Sequence, residues 1–401
     1  MEATEIPKTP EGVVRRAEHI TSLTGLRFFA AIWVVLLHFG TPQHTRQWPW
    51  IVDSTLRHGQ LGVAMFFVLS GFVLGYNYLD KISAGTFDVR GFFVARFARV
   101  YPVFFLSVAI FTPFAIRYTL QSHSGLGGWL FLGAEFVLQA LVLQTWFPGL
   151  LYLTRWNTPS WSLGVEAFFY SNFPWLAKQT IKLGNRAAIL SVVGMLLFLT
   201  LVRAIYWSLN LDSIGDTVPN ETAHFWAGAL FFNPVLRLPE FALGVIGVHL
   251  VKRNRDALLR IPEWIHGAGL ATVLISLLYV LSFQHTVSHR IWANSLVVFL
   301  LFSLICILSL QRIRIVTAIL SSAPLVLLGE ASYSMYVLQR PVAEYFNFVS
   351  VRIGIGTVET NLVSFLIYLI ALNFISILVF KKFEIVWRNR FRSRLSKNIK
   401  A

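Results

Sequence analysis

Charge and cysteine are what this sequence has least of. Asp, Glu, Lys and Arg together make up 13% of its 401 residues, about half the share that a soluble domain carries. Acidic residues are the scarcer kind, 19 against 34 Lys and Arg, which leaves a formal net charge of +15. The one cysteine, Cys306 in LFSLICILSL, excludes an intrachain disulfide and a cysteine-rich metal site. A lone thiol inside an apolar run is also a poor seat for a thioester intermediate. Residues 1–22 lack the short apolar core and small-residue cleavage site of a signal peptide, and read as a cytosolic lead-in. Low-complexity tracts and internal repeats are missing too. So little charge argues against a soluble enzyme. The basic residues sit in short groups between apolar runs, not on one continuous basic face, which argues against a nucleic-acid binder.

What is present is apolar mass: 56% hydrophobic, 15% aromatic, mean hydropathy +0.63. That composition predicts an all-α, polytopic transmembrane helix bundle. Eleven apolar segments are candidates, at 24–40, 59–79, 92–118, 128–145, 160–177, 187–207, 228–251, 264–283, 293–310, 324–349 and 359–380. Basic groups at Lys178/Lys182/Arg186, Lys252/Arg253/Arg255/Arg260, Arg312/Arg314 and in the tail KKFEIVWRNRFRSRLSKNIK belong on the cytoplasmic side. The last six segments alternate correctly between them, and the loop with Asp212, Asp216 and Glu221 falls outside. Arg15/Arg16 and Lys81/Arg90/Arg96/Arg99 are also cytoplasmic on this rule. Three segments separate the latter from Lys178, where only an even number fits. Segment 128–145, with Glu135, Gln139 and Gln144, is the one expected to re-enter or to be partly buried, because polar groups at membrane depth must face protein or water. The expectation is therefore about ten crossings with both termini cytoplasmic: a lead-in at 1–22, a membrane domain at 23–380, and a basic cytoplasmic tail at 381–401.

The first segment, LTGLRFFAAIWVVLLHFG, holds two ionisable groups. Arg27 and His38 lie eleven residues apart, so they share nearly one helix face and are separated by a rise of roughly 16 Å. Ionisable groups inside spans are costly and face cavities or partners. Taken alone, Arg27 reads equally as a snorkelling anchor and His38 as an interfacial histidine.

Further along come GQLGVAMFFVLSGFVLGYNY (59–78), FFVARFARVYP (92–102), TPSWSLGVEAFFY (158–170), LRLPEFALG (236–244) and LGEASYSMYVLQRP (328–341). Together with the arginine–histidine pair of the first span, this ordered set resembles the acyltransferase-3 family of integral membrane O-acyltransferases, over roughly residues 20–380. The resemblance implies a ten-helix membrane enzyme that moves an acyl group, commonly acetyl, from cytoplasmic acyl-CoA to a hydroxyl of a cell-surface or exported carbohydrate. It implies that Arg27 and His38 are needed for activity. The chemistry fits beside it. A sugar hydroxyl is a poor nucleophile, and neutral imidazole is a suitable general base. Arginine suits the phosphates of CoA.

Arg96 and Arg99 share one face at the cytoplasmic start of their helix and read as CoA phosphate ligands or as positive-inside anchors. In TPSWSLGVEAFFY, Thr158 is a plausible N-cap with Pro159 at the first helical position. Ser162, Glu166 and Tyr170 then fall on one face. Glu166 reads as a partner of His38, an acceptor contact, or half of an ion pair. Trp161 offers a stacking face for a sugar or an interfacial belt ring, and Tyr170 completes that wall. Ser70 reads as a packing residue together with Gly62, Gly71 and Gly75. Arg237 and Glu240 make an (i, i+3) pair that shapes a cavity, with Glu240 also able to meet substrate. Many members of the resembled family carry histidine where this chain has Gln339, which cannot act as a base. Arg340 and Glu330 remain as polar lining.

The partners implied are acyl-CoA as donor, a carbohydrate acceptor and membrane lipid, with no metal and no nucleic acid; a homo-oligomer is compatible with all of them. A multi-pass protein of the bacterial cytoplasmic membrane is expected. Some members of the resembled family carry an extra esterase-like domain; none is visible here, so transfer completed alone or handed to a separate protein is expected. The rival reading is a proton-coupled transporter that uses Arg27, His38, Glu166 and Glu240 as a relay, although no paired-half symmetry is visible.

Overall fold

The computed structural model describes residues 20–40, 49–146, 156–214, 224–282 and 287–398. The expected cytoplasmic groups at Arg15/Arg16, and Asp216 and Glu221 of the outer loop, lie outside the described residues. Among those described, every regular element is helical. In chain order they are α1 (Thr21–Phe39), α2 (Trp50–Arg57), α3 (Leu61–Ser83), α4 (Val89–Ser122), α5 (Gly125–Ala140) and α6 (Trp161–Thr180). Next come α7 (Asn185–Leu209), α8 (Phe225–Phe232), α9 (Pro234–Arg253), α10 (Arg255–Arg260), α11 (Glu263–Ser282) and α12 (Val287–Ser309). The set closes with α13 (Arg314–Leu320), α14 (Ala323–Glu330), α15 (Ser332–Ser350), α16 (Leu362–Val379) and α17 (Ile385–Asn398).

Seven of these stretches are long and apolar enough to cross a membrane: α1, α3, α4, α7, α8 running into α9, α11, and α16 running into α17. An eighth arises if Asn294–Ser309 and Arg314–Leu320, bent by 96°, form one broken or re-entrant span. The bend thus lies at α12–α13 and not at 128–145, where re-entry was expected. That earlier segment forms α5, whose 16 residues rise only about 24 Å, short of a hydrocarbon core. Its polar groups do face protein. Thr119 Oγ1 donates to Glu135 Oε2 at 3.1 Å, Gln139 Nε2 donates to Ser160 Oγ, and Gln144 Nε2 reaches the Ser160 carbonyl at 3.5 Å. Two more helices, α6 with 20 residues and α15 with 19, have the length of a span without its uniform apolarity. Those two carry much of the candidate site.

α3 and α9 are the most enclosed spans, and α7 and α16 the least. Glycines set the central contact. A Cβ on Gly71 would come within 1.9 Å of the Phe241 carbonyl oxygen, and one on Gly244 within 2.1 Å of the Val68 oxygen. The two backbones touch because neither helix has a side chain there, the small-residue packing that replaces hydrophobic drive in lipid. Gly62 packs likewise on the Ala30 carbonyl of α1 and Gly75 on Val248, as FFVLSGFVLG suggested. α1 is clasped on its other side. A Cβ on Gly25 would lie 2.0 Å from the Leu320 oxygen, and one on Gly329 1.8 Å from the Thr24 oxygen. Outward faces carry exposed Leu190, Leu197, Leu201, Ile275, Ile370 and Phe374, as suits contact with lipid.

The last span does not stop at residue 380. A π-turn, Phe380–Glu384, links α16 to α17, and the helix continues to Asn398. Phe391 of α17 meets Phe97 of α4 with ring centroids 5.8 Å apart. The stretch expected as a tail from 381 is therefore, up to the end of the described residues, helix docked against α4.

Candidate functional site

Polar side chains gather at two levels along α1. The lower level surrounds Arg27. Arg96 and Arg99 of α4, Glu166 and Tyr170 of α6, and Glu384 of the π-turn supply the charges and hydroxyls that act on one another and on Arg27. Arg27, Arg96, Arg99, Glu166 and Tyr170 are all half-buried, although protein surrounds them, which is the signature of an enclosed crevice and not of a filled core. The Tyr170 hydroxyl donates to Glu166 Oε2 at 2.6 Å, and Ser334 Oγ donates to Glu384 Oε2 at 3.2 Å. Arg27 lies over Phe66 at 6.0 Å and Arg96 over Phe92 at 5.9 Å.

The arginines have no such partner. Among the described residues, no carboxylate lies within 4.0 Å of Arg27, Arg96 or Arg99. Arg96 Nε is buried without any hydrogen bond. Buried donors are almost always satisfied, and buried cations are paired. Three guanidiniums facing one crevice with Glu166 and Glu384 held back by Tyr170 and Ser334 therefore fit an anion, and their forked donors suit phosphate oxygens.

The upper level surrounds His38. Its Nδ1 lies 2.9 Å from Gln339 Oε1 of α15. Gln339 is fully buried; its Nε2 donates to the Tyr336 carbonyl at 2.8 Å, and its own carbonyl accepts from the Tyr368 hydroxyl at 2.9 Å. Phe39 contacts the imidazole edge-on at 6.1 Å and stacks against Tyr368 at 5.2 Å. The charge acting on His38 is Arg340, whose Nη1 donates to Thr158 Oγ1 and whose Nε lies 4.0 Å from Glu344. Glu344 in turn accepts from the Tyr118 hydroxyl at 2.7 Å. His38 is nevertheless exposed, so its ring opens onto a crevice. Phe66 and Tyr336, with ring centroids 6.2 Å apart, form an apolar wall between the two levels.

Glu166 thus sits with Arg27, Arg96 and Arg99, and the ring of His38 is held by Gln339 instead. TPSWSLGVEAFFY also starts differently. Thr158–Ser160 is a 3₁₀ turn and α6 begins at Trp161, so the Thr158 hydroxyl is free of capping and receives Arg340. Trp161 is buried among Phe67, Phe231 and Phe232, which leaves it no face for a sugar in this structure. Glu240 is completely buried and pairs with Arg237, itself lying over Phe231 at 4.7 Å and Trp161 at 5.9 Å. This pair is a separate unit on the far side of Trp161. Glu330 is exposed at the end of α14 and does not line the crevice. Arg27 with Glu166, His38, and Glu240 consequently fall in three groups, not in one continuous relay. Glu384 was missed. A single glutamate in a run of basic residues gave no sign of the turn that folds it inward. Among the described residues no cluster of His, Cys, Asp or Glu could hold a metal ion.

The comparisons with known proteins agree in kind. A family model described as an acyltransferase domain matches residues 20–381. The acyltransferase MdmB of Streptomyces mycarofaciens is 30% identical over 334 residues, which is 82% of this chain and 80% of that protein. A putative acetyltransferase, ORF330, of Acidianus two-tailed virus is 25% identical over 82% of this chain and 86% of its own length. The peptidoglycan O-acetyltransferase OatA of Listeria monocytogenes is 21% identical over 81% of this chain, and this chain spans 49% of its length. No solved structure matches.

Proposed function

The chain belongs to the acyltransferase-3 family of multi-pass membrane acyltransferases, and on that premise we propose that it moves an acyl group of the acetyl class from cytoplasmic acyl-CoA to a hydroxyl of a cell-surface or exported carbohydrate. Ten crossings, cytoplasmic termini and residence in a bacterial cytoplasmic membrane complete the proposal. The observation that carries it is the arginine crevice without a bound carboxylate, at one end of the same helix that presents an accessible histidine about three turns further on.

In this reading Arg27, Arg96 and Arg99 receive the phosphates of CoA. The pantetheine arm runs along Phe66 and Tyr336. The thioester carbonyl then reaches His38. There the neutral imidazole takes the proton of the acceptor hydroxyl as the C–O bond forms. The C–S bond breaks, CoA leaves as thiolate, and the imidazolium returns the proton to it. No charge is left stranded inside the membrane at the end of the cycle. Glu166 and Glu384 hold the arginines apart in the absence of donor and orient them in its presence.

The test is transfer from labelled acetyl-CoA by the purified protein in lipid nanodiscs, with the surface glycan of a deletion strain as acceptor. His38→Ala is expected to lose about 10²–10⁴-fold in rate, the usual contribution of a general base, with unchanged insertion and unchanged acyl-CoA binding. Full transfer by that variant would remove His38 from the mechanism.

A further inference from the structure

We infer that Gln339 is the positioning residue of the reaction: its side-chain amide fixes the His38 tautomer and aims Nε2 at the acceptor hydroxyl. This deepens the function proposed above and rests on it.

The argument starts from the amide itself. Either end of a glutamine could face the ring, but here one orientation is imposed. Gln339 Nε2 has the Tyr336 carbonyl at 2.8 Å, and a carbonyl can only accept. The nitrogen must therefore point to Tyr336, and the oxygen must point to His38. At 2.9 Å from an acceptor-only oxygen, His38 Nδ1 must carry the hydrogen. The neutral imidazole has one N–H, so Nε2 is left with its lone pair. The lone pair is what a general base needs.

The orienter is held in turn. Gln339 is fully buried, its main-chain carbonyl accepts from Tyr368 at 2.9 Å, and Tyr368 stacks on Phe39, the residue next to His38. α1, α15 and α16 are thus joined around the imidazole by one connected set of contacts, and a ring locked in this way loses little freedom when the acceptor arrives.

The orienter is also neutral. A carboxylate in this place would stabilise the imidazolium and hold its proton. The only charge acting on the ring among the described residues is that of Arg340, with its partner Glu344 turned toward Tyr118. An amide and a cation both favour rapid return of the proton, which goes to the departing thiolate. Base and acid duties are therefore shared by one nitrogen without a resting ion pair.

Two variants separate this from a packing role. Gln339→Met keeps the length but has no strong acceptor for Nδ1–H; kcat is expected to fall about 10²-fold, the usual cost of losing orientation, while KM for acetyl-CoA stays within twofold. Gln339→Glu restores the acceptor and adds charge. Its kcat at its own optimum is expected within tenfold of wild type, and the acid limb of its kcat/KM profile is expected to move up by about 1–3 pH units, because a nearby carboxylate keeps the imidazole protonated to higher pH. Thermal unfolding of both variants in detergent verifies that they are folded. The inference fails if Gln339→Met keeps kcat within threefold of wild type, if Gln339→Glu falls as far as Gln339→Met, or if the acid limb of an active Gln339→Glu stays in place. An inactive His38→Ala alongside a fully active Gln339→Met would sink this inference alone. An active His38→Ala would sink the functional reading itself.

Discussion

Gly25→Ala adds a single methyl group where α1 meets the end of α13. Its Cβ would stand 2.0 Å from the Leu320 carbonyl oxygen, 2.9 Å from the carbonyl carbon and 3.2 Å from Cα. All three atoms are backbone, so no rotamer change relieves the clash, and the start of α1 must withdraw by about 1 Å to reach even a tight contact. Gly329 presses on Thr24 from α14, so the withdrawal strains that contact or breaks it. Overpacking of this kind costs about 1–3 kcal/mol. The gain in helix propensity from Gly to Ala returns up to about 1 kcal/mol. The net loss of stability is then on the order of 1–2 kcal/mol. The functional loss is larger. Arg27 is two residues along and moves with the displaced turn, while His38, eleven residues further, stays tied to Gln339. Misplacement by about 1 Å costs on the order of 10²-fold in rate. Thermal unfolding in detergent and steady-state transfer should therefore disagree in scale: a modest fall in Tm and a large fall in kcat/KM for acyl-CoA. Gly194→Ala, on the outer face of α7 with nothing within 4 Å of the added carbon, is the control and should keep both. Wild-type kcat/KM in Gly25→Ala would refute the close approach of α1 to Leu320.

Arg99→Ala should raise KM for acyl-CoA by about 10- to 150-fold, the equivalent of one charge-assisted hydrogen bond at 1.5–3 kcal/mol, with saturated turnover nearly kept; normal KM with collapsed kcat would mean that the arginine is not a phosphate ligand. Glu166→Gln should also act on the donor, altering KM for acyl-CoA and leaving the acid limb of the pH profile unmoved, because Glu166 bonds to Tyr170 and faces the arginines. A limb displaced to lower pH would return Glu166 to the neighbourhood of His38. Arg237→Met should destabilise by about 3–5 kcal/mol, since it strands Glu240 uncompensated in the core. The double change Arg237→Met with Glu240→Leu should recover most of that loss; equal destabilisation of single and double variants in thermal melts would contradict a buried pair.

Lone polar residues are easy to read in an apolar sequence, and that is why Arg27, His38, Arg96, Arg99 and Glu166 stand out. Small residues at helical spacing in GVAMFFVLSGFVLG equally announced a backbone contact, found at Gly62, Gly71 and Gly75. Pairing is another matter. Which of His38 and Arg27 would receive Glu166 depends on how α1 and α6 lie together, and spacing within one helix carries no information about that. Thr158 looked like a helix cap because the local pattern is a good one; Arg340, 182 positions away, takes its hydroxyl instead. Gln339 was legible only as a missing base, and its value as an acceptor appears once α15 is set against α1. The number of crossings was blurred by the site itself. α6 and α15 need polar residues to line the crevice, and those residues weaken the apolar signal that marks a span.

The π-turn at Phe380–Glu384 makes chain length there a variable in its own right. Its extra residue sets the angular phase of everything beyond it. Removal of one residue would let the turn relax to ordinary α-helix and rotate Ile385–Asn398 by about 100° about its axis. Phe391 would leave Phe97, and Glu384 would swing out of the arginine crevice. A one-residue deletion there would thus act as a rotation, altering charge at a distance while removing no side chain of the crevice itself. By the same logic, a compensating insertion a few positions downstream would bring Phe391 back to α4 and leave Glu384 outside, so the two effects of a single helical phase are separable by length alone.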